Sequence, residues 1–152
     1  ALTLWLASRH ADLSGIVCIN PATKSSASKL AGARLAVKTG KKSLPAIGSD
    51  ISDPAVKESS YDATPLAAAV SLFADGLKPL SKKYGSIKVP MLLFTATNDH
   101  VVNPKESEFL VSKYAGSIER VILERSFHVA TQDVEKETVH AKALEFAKRV
   151  TA

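Results

Sequence analysis

Three short apolar runs divide the chain into alternating blocks. They cover residues 13–20, 89–95 and 119–123, and valine, isoleucine and leucine dominate them. An apolar run of this length, bounded by turn-forming residues, is typical of a strand that is buried on both faces of a parallel sheet. We therefore predict three buried strands, the second of which carries Pro90 near its start, where proline is tolerated.

Apolar residues at helical spacing lie before, between and after these runs. Asn103-Pro104 opens one predicted helix, which Gly116 closes. Asp133 is the predicted N-cap of a terminal helix. The apolar face of that helix consists of Val139, Ala143, Phe146 and Val150. A further helix at the start of the chain is predicted to be mostly buried through Leu2, Trp5 and Leu6.

Helices and strands thus alternate, which predicts an α/β fold with a parallel sheet and helices on both of its faces. The middle of the chain interrupts this alternation. We expect residues 1–23 and 87–152 to form the core and residues 24–86 to form a small, mainly helical insertion over the strand ends.

The sequence pattern of the insertion predicts helices separated by a loop. Residues 24–43 have helical spacing, and residues 45–63 are rich in proline, glycine, serine and aspartate, which predicts a loop. Thr64-Pro65 predicts an N-cap followed by the first position of a second helix. Asp75-Gly76 is expected to end that helix, and a short helical piece follows it.

Two polar residues follow neighbouring predicted strands, where functional groups of parallel sheets gather. Asp99 comes directly after the second strand and His128 directly after the third. A carboxylate beside a histidine fixes its tautomer and stabilises the imidazolium that forms during proton transfer. Taken singly, Asp99 fits a turn residue and His128 a partly buried histidine. Taken together, they predict a catalytic acid and a general base.

Composition and charge exclude several classes of protein. The net charge is +5, but the basic residues are scattered rather than gathered in a stripe with stacking aromatics, so we predict no nucleic-acid partner. No apolar stretch approaches the roughly 18 residues of a transmembrane helix. The single cysteine, Cys18, excludes an intrachain disulfide, and the histidines lack metal-ligand spacing. We expect a cytoplasmic protein without a metal.

Two segments resemble a known family. Residues 98–104 (NDHVVNP) and 126–133 (SFHVATQD) are similar to the C-terminal part of α/β-hydrolases of the carboxylesterase and monoacylglycerol lipase type. The resemblance implies that the predicted strands are the sixth to eighth of that fold, with residues 24–86 as its variable cap. It also implies that Asp99 and His128 belong to a Ser-Asp-His triad.

One feature of the family is missing. Its nucleophile is a serine in a G-x-S-x-G turn, and no such motif occurs in the sequence. The helix that follows this turn resembles residues 1–9, so we expect the serine within about five residues upstream of Ala1. The chain would then be a C-terminal portion, which by itself would lack the nucleophile and the oxyanion hole and would be inactive.

The resemblance implies hydrolysis of a carboxylic ester, with a short-to-medium acyl chain or a monoacylglycerol-like substrate and no cofactor. The partner would be a small-molecule ester or a lipid-like molecule. Val101, Val129 and Phe73 are candidates for the substrate pocket. Two alternatives stay open: a non-catalytic binding module on the same scaffold, and hydrolysis of a thioester, an amide or a carbon–carbon bond. The sequence predicts no oligomeric state.

Overall fold

A computed structural model describes all 152 residues. The chain contains six α-helices, five strands and two short turns of other helical types. In chain order these are α1 (Leu2–Ala7), β1 (Ile16–Ile19), α2 (Ala27–Lys38), β2 (Ser43–Pro45), β3 (Ala63–Pro65), α3 (Leu66–Ser71), a π-helical turn (Leu72–Leu77), α4 (Lys78–Leu80), a 3₁₀ turn (Tyr84–Ser86), β4 (Met91–Ala96), α5 (Lys105–Lys113), β5 (Ile118–Leu123) and α6 (Lys136–Thr151).

The main sheet has three parallel strands in the order β1-β4-β5. Ile16 pairs with Met91, and Met91 pairs with Ile118, so the strands start in register. Their carboxyl ends therefore meet at one edge of the sheet, where the loops that follow them come together. The predicted α/β fold with a parallel sheet is confirmed.

The central strand β4 has all six residues buried because it has a strand on each side and packed side chains on each face. Its residues alternate between two hydrophobic clusters. Met91 and Leu93 join the cluster that includes α1, the 3₁₀ turn and α5. Leu92 and Phe94 join the cluster that includes α6. The alternation fixes which side of the sheet each helix covers.

The buried face of α1 differs from the prediction. Leu4 and Ala7 are buried against β1, whereas Leu2, Trp5 and Leu6 are exposed. The expectation that these three residues bury the helix is wrong, because the short helix touches the sheet along the opposite stripe. No helix in the protein is both long enough and apolar enough to cross a membrane.

The inserted segment, residues 24–86, is here called the cap segment. About half of its residues are helical. In addition, β2 and β3 form a two-stranded antiparallel sheet of their own, which the sequence did not predict. They do not join the main sheet. Thr64-Pro65 belongs to β3, and the following helix begins one residue later, at Leu66, so the predicted N-cap is wrong.

The helix after β3 also runs further than predicted. Asp75-Gly76 does not end it, because the backbone passes through the π-helical turn and continues into α4. Leu77 and Leu80, which come after the predicted break, are fully or almost fully buried. Burial of these side chains holds the segment in a helical path despite the glycine.

The division into core and cap segment stays a prediction.

Gly116 occupies a crowded position just before β5. A Cβ atom there would lie 2.7 Å from the carbonyl oxygen of Val89 and 2.8 Å from that of Lys88. Only glycine lets the two backbones approach this closely. The helix α5 has already ended at Lys113, so Gly116 serves the close approach and does not close the helix as predicted.

Candidate active site

Asp99 and His128 meet at the carboxyl edge of the main sheet. His128 Nδ1 and Asp99 Oδ2 are 2.8 Å apart, and the side chain of Asp99 is only 2% exposed. An ionised carboxylate can only accept hydrogen bonds, so Nδ1 carries the proton and Nε2 is left with the free lone pair of neutral histidine. The distance is that of a hydrogen bond. The catalytic role of the pair stays a prediction.

The turn that follows β4 fixes the carboxylate of Asp99. Its second oxygen, Oδ1, accepts hydrogen bonds from the backbone N–H groups of Val101 and Val102, at 2.8 and 2.7 Å. Aspartate commonly bonds to the backbone two residues on in this way. Asp99 is therefore a turn residue and the partner of His128 at the same time.

The surroundings of His128 favour its charged form. The hydrogen bond to Asp99 is the largest effect and raises the pKa of His128 above its ordinary value of 6.5. Burial opposes this rise, and the negative charges of Asp99, Asp50 and Glu58 add to it. The site is thus built to stabilise an imidazolium.

Asp50, in the loop between β2 and β3, connects the loops that carry Asp99 and His128. Its Oδ2 accepts hydrogen bonds from the backbone N–H groups of His100 and His128, both at 3.1 Å. Its Oδ1 lies 2.7 Å from His100 Nδ1. The residue is 5% exposed. Burial opposes ionisation, but the hydrogen bonds from His100 and His128 lower the pKa of Asp50, so its carboxylate is ionised at neutral pH.

Asn20 holds the same loop from the end of β1. Its Nδ2 donates to the carbonyl oxygen of His128 at 2.9 Å, and its Oδ1 accepts from the backbone N–H of Ala96 at 2.7 Å. The residue has a φ of 46°, in the left-handed region that asparagine tolerates better than most residues. In the sequence, Asn20 is the last residue of the first predicted strand, residues 13–20.

Asp133 does not cap α6, which begins at Lys136. Its carboxylate instead joins two loops, accepting from the N–H of Phe127 at 2.7 Å and from the N–H and hydroxyl of Ser52 at 2.9 and 2.5 Å. Burial opposes ionisation, but these hydrogen bonds lower the pKa of Asp133 to about 2. The predicted N-cap is wrong because the carboxylate has these other donors.

A cavity of about 360 Å³ lies beside His128. Val101 and Val129, two of the predicted pocket residues, line it together with His128. The remaining walls come from the cap segment and are formed by Ala46, Ile47, Gly48, Asp50, Glu58, Ser60, Tyr61, Ala63, Thr64 and Pro65. Phe73 lies elsewhere, in a cavity between α2 and α3, so the structure does not bring it to His128. The contact of Val101, Val129 and Phe73 with substrate stays a prediction.

Of the remaining histidines, only His100 belongs to this arrangement, through its contacts with Asp50. His10 and His140 are exposed on the surface, and His100 packs its ring edge-on against Phe127 with 4.6 Å between the centroids. No group of three or more histidine, cysteine, aspartate or glutamate side chains is arranged to hold a metal ion.

The chain matches a known family over most of its length. Residues 1–135 match the family described as serine aminopeptidase, S33. The chain belongs to this family of α/β-hydrolases. Within it, the chain is 35% identical over 150 residues to the thermostable monoacylglycerol lipase of Bacillus sp. (strain H-257). That match covers 95% of this chain and 57% of the relative.

Solved structures of lipolytic enzymes have the same fold as this α/β-hydrolase chain. A structure from work on LipS and LipT, two metagenome-derived lipolytic enzymes, is 32% identical, with a TM-score of 0.87 over 97% of this chain and 60% of that one. A soluble variant of the monoglyceride lipase of Saccharomyces cerevisiae shares the fold at 15% identity, with a TM-score of 0.72 over 98% of this chain and 61% of that one. The chain thus spans about three fifths of these relatives.

The sequence of this α/β-hydrolase chain predicts the pairing of Asp99 with His128 but does not single out the residues that hold the pair. Asp50 lies in a loop without hydrophobic periodicity, and nothing in its neighbourhood distinguishes it from other acids of the cap segment. Asn20 was visible as the asparagine of an Asn-Pro pair at a strand end, a position where functional groups gather. That signal was present but did not indicate a specific role.

Proposed function

We propose that this chain supplies the acid–base part of a serine hydrolase that cleaves carboxylic esters. The observation that carries the proposal is the 2.8 Å contact between His128 Nδ1 and Asp99 Oδ2 beside an open cavity. Membership of an α/β-hydrolase family and similarity to a monoacylglycerol lipase support it. In this proposal Asp99 is the catalytic acid residue and His128 the general base.

The proposed reaction proceeds in two half-reactions. His128 Nε2 takes the proton from a serine hydroxyl as the serine oxygen attacks the ester carbonyl, and then gives that proton to the leaving alcohol. Water hydrolyses the acyl-serine by the same route, which returns the proton and regenerates the serine. Asp99 keeps the proton of His128 on Nδ1 and stabilises the imidazolium in both halves. This chemistry uses no metal and no cofactor.

The nucleophile in this proposal lies outside residues 1–152. The order Ser…Asp…His of α/β-hydrolases places it before Asp99 in the sequence, and no G-x-S-x-G motif precedes Asp99 here. We place the serine within about five residues upstream of Ala1, on the strand-to-helix turn that would lead into α1. Reading the residues that precede Ala1 in the full-length protein tests this point, and a sequence without a serine there contradicts it.

The cavity favours an ester with a polar alcohol half. Its walls combine apolar side chains such as Ile47 and Val129 with the oxygen-bearing side chains of Glu58 and Ser60. The apolar part suits an acyl chain, and the oxygens suit the free hydroxyl groups of an alcohol. A monoacylglycerol or a short-to-medium acyl ester has both parts. We infer a small-molecule or lipid-like ester as the substrate.

The experiment is a substrate panel with the full-length protein. Monoacylglycerols and nitrophenyl esters of graded acyl length are compared with a thioester and an amino-acid amide. Ester hydrolysis should dominate and should fall by about four orders of magnitude or more in His128→Gln, while His140→Gln, an exposed histidine on α6, should retain full activity. Amide hydrolysis as the main activity would assign a peptidase. Equal activity in both variants would overturn the proposal.

The cellular location is a separate proposal. The single cysteine, Cys18, is buried, and burial raises the pKa of its thiol to about 11. Such a thiol is unreactive. A single cysteine forms no intrachain disulfide, so the folding of these residues requires no oxidising compartment. We infer a cytoplasmic protein. Cell fractionation followed by detection of the full-length protein measures this.

A further inference from the structure

The backbone of His128 is held on both sides of its Cα atom by buried side chains from distant parts of the chain. Its N–H donates to Asp50 Oδ2 at 3.1 Å, and its carbonyl oxygen accepts from Asn20 Nδ2 at 2.9 Å. Asp50 and Asn20 are each 5% exposed. With Asp99 on the ring, His128 is fixed at three points by three separate segments. Its backbone and its ring are thus both held in place.

Asp50 is also bonded to the loop that carries Asp99. The same oxygen, Oδ2, accepts the backbone N–H of His100, the residue that follows Asp99, at 3.1 Å. One carboxylate oxygen therefore bridges the backbone beside the acid and the backbone of the base. A shift of Asp50 would change the distance between Asp99 and His128, because both loops are bonded to it.

The position of Asp50 is itself fixed from both sides. Its carbonyl oxygen accepts the backbone N–H of Val129 at 3.1 Å. Two residues later, the N–H and the hydroxyl of Ser52 donate to Asp133. The stretch around Asp50 is consequently attached to the core, although it belongs to the cap segment. This attachment gives Asp50 the fixed geometry that a positioning residue needs.

We propose that Asp50 is a positioning residue for the Asp99–His128 pair, and that Asn20 assists it by holding the backbone carbonyl of His128. The proposal rests on the proposed function, because it assigns a role to residues that support that pair. Neither residue needs to touch the substrate for this role. Both act through the backbone of His128, and Asp50 also acts through the backbone of His100.

The main test is Asp50→Asn in the full-length protein, with Asp62→Asn as a control for an exposed acid of the cap segment. We expect kcat to fall by about ten- to a hundredfold with KM within about twofold, because a misplaced base slows the chemical step. Asp62→Asn should keep the wild-type kcat. A raised KM with unchanged kcat would mean that Asp50 contacts the substrate and would overturn the proposal.

A second measurement does not depend on activity. The groups that act on the imidazole of His128 are Asp99, Asp50 and Glu58, and Asp50 in turn faces His100. In Asp50→Asn the pKa of His128, followed by NMR, should fall because one negative charge is lost, and the Nδ1 proton signal should shift as its hydrogen bond to Asp99 changes. A purely structural role would lower the melting temperature and leave both signals unchanged, which would overturn the proposal.

Two further variants keep the test decisive if Asp50→Asn does not fold. Asp50→Glu keeps the charge but lengthens the side chain, so it should retain most of the pKa of His128 and still lose kcat. Asn20→Asp removes the N–H donor to the His128 carbonyl, and its control is Asn103→Asp, because Asn103 uses only its oxygen as an acceptor. Wild-type kcat and NMR signals in both Asp50→Glu and Asn20→Asp would overturn the proposal.

The experiments distinguish failure of the proposed function from failure of the positioning role. If His128→Gln keeps full activity, the Asp99–His128 pair is not catalytic, and the NMR signals of His128 still report whether Asp50 and Asn20 position it. If His128→Gln is inactive and the Asp50 and Asn20 variants behave as wild type, the function stands and the positioning role is wrong.

Discussion

Ser52 and Asp133 are joined by a 2.5 Å hydrogen bond between the serine hydroxyl and the carboxylate, although 81 residues separate them in the sequence. Asp133 also accepts the backbone N–H groups of Ser52 and Phe127. The pair therefore attaches the cap segment to the loop that carries His128. The pair also contains the buried negative charge of Asp133, which protonation at low pH removes.

This geometry predicts an acid-sensitive contribution to stability. The hydrogen bonds lower the pKa of Asp133 to about 2 from an ordinary 3.8. Because the pKa of Asp133 is lower in the folded protein than in the unfolded one, its carboxylate stabilises the fold fully at pH values above the unfolded pKa. This stabilisation is lost as the pH falls through the folded pKa of about 2. Asp133→Asn in the full-length protein should reduce the free energy of unfolding by about 2 kcal/mol at pH 7.

Urea denaturation at pH 7, 4 and 2.5 measures this effect. The difference between the wild type and Asp133→Asn should shrink as the pH falls. Asp12→Asn, which alters an exposed acid, serves as the control and should change stability by no more than about 0.5 kcal/mol. A difference that stays constant across the three pH values would show that the ionised carboxylate does not stabilise the fold.

The raised pKa of His128 predicts opposite pH effects on activity and stability. The general base must be neutral, so kcat/KM should fall as the pH drops below the folded pKa, which lies above 6.5. The stability that protonated His128 gains from Asp99 follows the reverse course. It is fully present below the unfolded pKa and is lost as the pH rises through the folded pKa.

Asp99→Asn tests the origin of that shift. Loss of the charge and of the correct tautomer should lower kcat/KM about ten-thousandfold. It should also move the acidic limb of the pH–rate profile to lower pH, because the main cause of the raised pKa of His128 is gone. A profile that keeps its acidic limb in place would assign the titration to a group other than His128.

The two cavities predict different effects on substrate binding. Val101 lines the cavity beside His128, whereas Phe73 lies in a separate one between α2 and α3. Val101→Ala should raise KM for an ester about three- to tenfold, since it removes apolar contact worth about 1 kcal/mol. Phe73→Ala, measured below its melting temperature, should leave KM unchanged. A larger KM effect at Phe73 would place the acyl chain in the other cavity.

Gly116 and Gly32 predict opposite outcomes for the same substitution. A Cβ atom at Gly116 would lie 2.7 Å from the Val89 carbonyl oxygen, and the neighbouring backbone cannot yield easily. Gly116→Ala should therefore destabilise the protein by about 1–3 kcal/mol. Gly32 lies within α2 with open space around it, so Gly32→Ala should be neutral or stabilising by up to about 1 kcal/mol. Thermal unfolding of both variants decides the matter.

The elements of the core could be predicted because their patterns are repeated over enough residues. β4 has six consecutive buried residues, and α6 extends over 16 residues with a regular apolar face that includes Val139 and Phe146. β2 and β3 have three exposed residues each, and nothing in such short segments distinguishes a strand from a loop. Their pairing depends on the path of the chain between them.

The candidate active site likewise has a part that the sequence pattern predicts and a part that it does not. Asp99 and His128 could be placed together because each follows a strand, and parallel strands end at one edge. The contacts of His128 with Asp50 and Asn20 span 78 and 108 residues and depend on loop conformations that no periodicity reports. Asp133 shows that a local preference can also mislead. Aspartate is a preferred N-cap residue, but the carboxylate of Asp133 accepts hydrogen bonds from Ser52 and Phe127 instead.

The attachment of residues 50–53 to the core has a consequence for protein engineering. The cap segment forms most of the wall of the cavity beside His128, so exchanging it for the corresponding segment of a relative would change that cavity. A transplanted cap segment would bring a new cavity wall. If it lacks an acid at the position of Asp50, the backbone N–H of His128 loses the carboxylate that holds it. A chimera should therefore retain residues 48–53 of the recipient and replace only the cap on either side of them.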